Sequence, residues 1–162
     1  MSTIGFDTSN YTTSTAWTDG KTDINVRQIL YVKDGERGIR QSDGVFQHMK
    51  LMPVMYEKLS EQIDFKDVKA VGVSTRPRCV EGSYMPVFLA GEGYAKVVAN
   101  TLGVPLYEFS HQDGHIMAGI YSSGSFELLE NDFISVHLSG GTTEILKSRY
   151  NGFHFDNEII GG

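Results

Sequence analysis

Cysteine occurs once in the 162 residues, at Cys79. A single thiol excludes any disulfide within the chain, so packing and hydrogen bonds must hold the fold. Basic charge is also short: Lys and Arg number 14 against 20 Asp and Glu, a net charge of −6. That balance excludes nucleic-acid recognition by bulk charge, because neutralising phosphates takes a basic face. It leaves room for a local basic patch or a basic partner. The N-terminus has no basic segment followed by an apolar run, so no secretory signal is read. No apolar stretch approaches the length of a membrane span. The expectation is a cytoplasmic protein in a reducing compartment, with no membrane partner. What is present suits a packed core: 40% of residues are hydrophobic and 21% charged. A chain of this length makes one domain, or one domain and part of a second.

The N-terminal part reads as β. "STIGFDTS" and "YTTSTAWT" are β-branched and aromatic, with a polar turn at Ser9-Asn10 between them. "INVRQILYVK" follows the turn "DGKTD", which predicts an antiparallel meander. The charged, glycine-bearing "DGERGIRQSDG" is a loop. Val45, Met49, Met52, Tyr56, Leu59 and Ile63 then recur at helical spacing, which predicts a helix with an apolar stripe facing the core. Asp43 is its candidate N-cap, and Pro53 should kink it. "VKAVGVST" is a buried strand ended by "RPR". "MPVFLAGEGYAKVVANTLG" is a helix with Pro86 in its first turn and Gly103 just past its end. "VPLYEFS" is a strand, and "HQDGHIMAGIYSSG" a helix capped by Ser110 and stopped by Gly124. Three strands close the chain, "FISVHLS", "TTEILKSR" and "FHFDNEI", joined at Gly140-Gly141 and Asn151-Gly152. The order βββ-α-β-α-β-α-βββ predicts an α/β fold with right-handed crossovers. Because the closing triplet resembles the opening one, residues 1–130 are expected to form a first module. Residues 131–162 would then begin a second one that is cut short.

Three segments carry candidate chemistry. In "GFDTSNYTTSTA", Asp7, Thr8 and Ser9 follow a strand and offer hydroxyls and backbone N–H groups to a phosphate. The same residues also suit an ordinary β-turn. In "LSGGTTEI", Ser139, Gly140, Gly141 and Thr142 form a second hydroxyl-rich turn where glycine lets a ligand approach the main chain. Each turn follows the first strand of a βββ unit, so the two occupy equivalent places, as facing phosphate loops would. In "FSHQDGHIMAG", His111 and His115 are four residues apart and share a helix face, a spacing that suits Zn2+ or Fe2+. On spacing alone HxxxH is a weak signal, and two histidines that satisfy helix-end and loop groups are the favoured reading. Asp113 lies on a different face and is a poor third ligand, whereas His48 could approach from another helix.

Taken in order, these motifs resemble the tRNA threonylcarbamoyladenosine transferase family. This is the TsaD family, also called O-sialoglycoprotein endopeptidase or glycoprotease. The resemblance rests on "GFDTSNYTTSTA", "FQHMKLMPVMYEKL", "VKAVGVS", "GYAKVVANTLGVPL", "HQDGH" and "VHLSGGTTEI", in family order from residue 3 to about residue 146. It implies the actin/Hsp70/sugar-kinase (ASKHA, ribonuclease H-like) fold: a first lobe with a mixed sheet and flanking helices, then the opening β-meander of a second lobe. It implies ATP or an adenylate, with Mg2+, bound in a cleft between the lobes, and an Fe2+ or Zn2+ held by His111, His115 and an acidic residue beyond this chain. Asp7, Thr8 and Ser9 would form the first phosphate loop, and Ser139, Gly140, Gly141 and Thr142 would line the phosphate and acyl site. The reaction implied is transfer of a threonylcarbamoyl group to a tRNA adenosine.

The chain departs from the family pattern at Asn10, Tyr11 and Thr12, at Arg76-Pro77-Arg78, at Asp113 and at Thr142. It is also about half the length expected of two equivalent lobes. Two readings therefore stand: a part of a metal- and ATP-dependent transferase, inactive alone, or a non-catalytic paralogue. The resemblance further implies pairing with a related subunit or a second copy through the first-lobe helices, with Met52, Met55, Tyr56 and Leu59 as candidate contacts. A metallopeptidase is disfavoured, because Gln112 stands where a zincin carries its general-base Glu.

Overall fold

The computed structural model describes residues 1–138 and 143–162. Among them the elements run β1 (Ser2–Asp7), β2 (Thr12–Thr18), β3 (Asp23–Ile29), α1 (Gln41–Ser60), β4 (Val68–Arg76), α2 (Phe88–Leu102), β5 (Leu106–Ser110), α3 (His111–Ser123), β6 (Phe133–Leu138), β7 (Thr143–Tyr150) and β8 (Phe155–Gly161). This is the expected order. The first five strands form one mixed sheet, β3-β2-β1-β4-β5. β1, β2 and β3 pair antiparallel, while β4 and β5 run parallel to β1. The last three strands form an antiparallel sheet, β6-β7-β8.

Alternation along the strands decides which face is covered. Ile4 and Phe6 on β1, with Val71 and Val73 on β4, point to one face and pack on Met52 and Leu59 of α1 and Ala95 and Ala99 of α2. Burying each large side chain of this set contributes roughly 1.5–3 kcal/mol. The other face presents the small residues Gly5, Ala16 and Gly72 across a groove from Phe109 and from Met117 and Tyr121 of α3.

Helix α1 departs from its sequence reading in two ways. It starts at Gln41, so Asp43 lies in its first turn and Arg40 stands at the cap without a side-chain bond. There Asp43 favours the helix through the dipole instead of capping it. The buried face comprises Gly44, His48, Met52, Met55 and Leu59, while Met49 is exposed. The N-terminal half of the stripe is thus rotated by one residue. The cause is close packing at Gly44, where a Cβ would lie 2.9 Å from Val87 Cγ1. Met52, Met55 and Leu59 are core and have no surface to give a partner, contrary to expectation. Pro53 lies inside the helix without ending it. Proline removes the N–H that would reach the Met49 carbonyl, and the Tyr94 hydroxyl of α2 donates to that carbonyl at 2.9 Å.

Helix α2 begins at Phe88, two residues later than Pro86 suggested, after a turn in which Phe88 and Leu89 donate to Met85 and Pro86 carbonyls. It ends as expected at Gly103, whose φ of 66° permits the left-handed cap. The third closing strand starts at Phe155 instead of Phe153. Asn151 Oδ1 accepts the N–H groups of Phe153 and His154, which holds both in the β7–β8 turn. No described helix is long and apolar enough to cross a membrane.

Candidate functional site

The parallel strands β1, β4 and β5 all end on one side of the sheet, the place where open α/β sheets present their ligand crevices. β1 delivers Asp7 there, β4 delivers Ser74, and β5 runs directly into α3. The turn into α3 is built by Ser110, the expected N-cap. Its hydroxyl accepts the Asp113 N–H at 3.0 Å, and Asp113 Oδ2 accepts the Ser110 N–H at 3.0 Å. This reciprocal capping box sets where the first turn of α3 points.

That first turn places His111 over the end of β1. His111 Nδ1 donates to Asp7 Oδ2 at 2.8 Å, and the Ser9 N–H donates to Asp7 Oδ1 at 2.7 Å. One helical turn on, His115 Nε2 lies 2.8 Å from His111 Nε2, with the rings nearly perpendicular at 78°. With Nδ1–H of His111 given to Asp7, its Nε2 is left as an acceptor and takes the His115 Nε2–H across that contact. The cluster borders a groove of about 670 Å³ that also takes in Phe6, Ser74, Phe109, Tyr150 and Phe155.

The electrostatics follow from these contacts. Burial alone would raise the Asp7 carboxyl. The His111 hydrogen bond and charge, with hydrogen bonds from Ser74 and Ser9, outweigh it and hold the carboxyl at about 2. Burial lowers the His115 pKa, and the neighbouring His111 and His137 lower it further against the pull of Asp7. A neutral imidazole is the ligand form, so the burial that lowers the His115 pKa suits cation binding. Two converging imidazole nitrogens, one backed by a carboxylate that fixes its tautomer, are a donor set that fits Fe2+ or Zn2+.

The other expected residues fall differently. Thr8 is fully buried. Its hydroxyl donates to the Val87 carbonyl at 2.8 Å and accepts the Gly91 N–H at 3.0 Å, which fastens α2 to β1. Ser139, Gly140, Gly141 and Thr142 lie outside the described residues. Asp113 is buried and bonded to Ser110 and to the Phe155 N–H, so it does not turn its carboxylate to the two histidines. His48 does not join the cluster: it is fully buried on α1 and bonded to Thr13 of β2 at 2.8 Å.

Two side chains near the cluster carried no sequence motif. His137 of β6 places its ring 5.7 Å from that of His115. Glu144 of β7 is buried, pairs with Arg78 at 2.7 Å and accepts from Gln112 at 3.4 Å. The alternation of β6 and β7 was the available signal, since both residues occupy inward positions. Arg78, one of the departures, is thus committed to β7.

A mixed sheet in the order 3-2-1-4-5, helices packed on it and a site at the ends of its parallel strands, followed by a second β-meander, make an ASKHA-like fold. A solved structure of YeaZ from Pseudomonas aeruginosa shares this fold, with a TM-score of 0.55 and 11% identity, over 100% of this chain and 65% of that one. The family model described as tRNA N6-adenosine threonylcarbamoyltransferase matches residues 35–160. The enzyme of that name from Christiangramia forsetii is 32% identical over 112 residues, 68% of this chain and 31% of the relative. That from Pyrobaculum calidifontis is 28% identical over 144 residues, 88% of this chain and 40% of the relative. The chain belongs to the tRNA N6-adenosine threonylcarbamoyltransferase (TsaD) family. The matched region spans about a third of the length of these curated relatives.

Proposed function

We propose that this chain supplies the first lobe of a TsaD-like transferase in the cytoplasm, which moves a threonylcarbamoyl group onto a tRNA adenosine. The observation that supports it most is the convergence of His111 and His115 Nε2 at 2.8 Å, with Asp7 behind His111, in a chain of this family. Bound there, Fe2+ or Zn2+ would supply a Lewis acid that polarises an acyl or phosphate oxygen. Asp7 keeps the Nδ1 proton of His111 in place and so presents its Nε2 as a ligand. The Asp7-Thr8-Ser9 segment takes the phosphates of ATP or of an adenylate, with Mg2+ offsetting the Asp7 charge. Thr8 contributes by anchoring α2 beneath that segment, and Ser9 by its hydroxyl. Ser139, Gly140, Gly141 and Thr142 form the opposing phosphate and acyl loop.

The test is metal stoichiometry measured together with transfer of a threonylcarbamoyl group to a tRNA anticodon stem-loop. H111A/H115A is expected to bind one metal equivalent fewer than the wild-type protein and to lose transfer. An unchanged metal count in the double variant would overturn the reading.

Exposed apolar side chains favour a second reading, docking on a related subunit or on a second copy through the first-lobe helices. Phe46, Met49 and Val54 of α1 and Leu89 and Val97 of α2 stand out to solvent. Substituting Phe46 and Met49 by Ser is expected to leave the fold intact and to dissociate such a complex in sedimentation. An unchanged sedimentation coefficient would remove this surface from consideration.

A further inference from the structure

Besides the histidine pair, three metal-binding side chains from three distant segments meet beside the first turn of α3. Cys79 follows β4, Asp113 lies in the first turn of α3, and His154 closes the β7–β8 turn. One donor atom from each lies within 4.8 Å of the other two. We infer that Cys79, Asp113 and His154 form a second divalent-cation site, of the zinc class, that ties the β7–β8 hairpin to the first lobe.

Chemistry and preorganisation support the assignment. A thiolate, a carboxylate and a neutral imidazole together balance the charge of a divalent ion and belong to the ligand set that zinc takes. His154 Nδ1 and Asp113 Oδ2 are 3.3 Å apart. Each ligand is already held from behind. Pro77 accepts the Gln112 N–H, and Arg78 is fixed by Ser83 and Glu144, so Cys79 leaves a tethered loop. Asp113 Oδ2 accepts the Ser110 N–H and hydroxyl, whereas Oδ1 accepts only the Phe155 N–H at 3.1 Å and keeps a lone pair for an ion. His154 is fixed by its N–H to Asn151 Oδ1 and packs edge-on against Phe109. Among the described residues Cys79 Sγ has one partner, Arg76 Nη2 at 3.7 Å, an exposed contact that a cation would replace. Three protein ligands leave a fourth position to water.

Because Cys79 is the only cysteine, a thiolate-to-cobalt charge-transfer band can arise from it alone. The purified protein and its H111A/H115A variant are titrated anaerobically with Co2+. Both are expected to show the band, saturating at one equivalent in the double variant, and Zn2+ should bleach it. C79S is expected to abolish the band. H154A is expected to weaken Co2+ binding at that site about tenfold or more. Zn2+ should raise the unfolding midpoint of H111A/H115A and leave that of H111A/H115A/C79S unmoved. Absence of the band from the wild-type protein, or an undiminished affinity in H154A, would overturn the inference. The arms are separable: failure of the histidine-pair reading leaves the band, and failure of this site leaves the metal equivalent lost in H111A/H115A.

Discussion

Replacing His48 by Leu is expected to remove a specific part of the protein's acid sensitivity. His48 is fully buried, with Nδ1 bonded to Thr13 and, among the described residues, Nε2 without a hydrogen-bond partner. Burial lowers its pKa from 6.5 to about 4, against an opposing pull from the Asp7 charge. The unfolded chain takes up a proton near 6.5 that the folded chain refuses until about 4. Its contribution is therefore complete above about pH 6.5 and is lost as pH falls toward 4. Linkage puts the loss at about 2 kcal/mol by pH 5 and about 3 kcal/mol by pH 4. The variant has no such loss, but at pH 7 it leaves the buried Thr13 hydroxyl without a partner, which costs about 1–3 kcal/mol. Urea unfolding at pH 7, 6, 5 and 4.5 measures both proteins on one scale. The wild-type protein should be the more stable at pH 7, and its lead should shrink by about 2 kcal/mol by pH 5. A lead constant to within about 0.5 kcal/mol over that range would refute the buried, neutral His48.

Tyr94→Phe should cost about 1 kcal/mol in the wild-type background, because the Met49 carbonyl opposite Pro53 loses its donor, and much less in P53A, where the helix N–H returns. A double-mutant cycle by chemical denaturation reads this coupling. Gly91→Ala would bring a Cβ to 2.8 Å from the buried Thr8 Oγ1 and should destabilise by about 1–3 kcal/mol, visible as a lower thermal midpoint. Ser110→Ala removes the hydroxyl that caps α3 and should cost about 1 kcal/mol in urea unfolding. Asp7→Asn should weaken metal binding at the His111–His115 pair about 10–100-fold in calorimetry, since it removes the charge that fixes the His111 tautomer.

The caps at Ser110, Gly103 and Gly124 were legible because they are local, whereas Asp43 proved to lie inside the first turn of α1. Ser110, Gly103 and Gly124 do what their residue types dictate within one helical turn. The element order was legible for the same reason, since period and punctuation are properties of short windows. The buried face of α1 was read one residue off at its N-terminal half. Gly44 and His48 do not look apolar, and only the approach of Val87 and the Thr13 hydroxyl makes them interior. Thr8 looked like a phosphate ligand because it sits in a hydroxyl-rich turn, yet its partners Val87 and Gly91 are about eighty residues away in the chain.

The sequence by itself determined the alternation of strands and helices, the capping of α3, the spacing that puts His111 and His115 on one face, and the family resemblance that the match over residues 35–160 bears out. The tertiary structure alone decided that Asp7 stands behind His111, at a separation of 104 residues, and that His137 and Glu144 close on the same region. It alone brought Cys79, Asp113 and His154 together. The physical reason is range: propensity, periodicity and caps act over a few residues, whereas a donor set is assembled by sheet register and crossovers that no local pattern encodes.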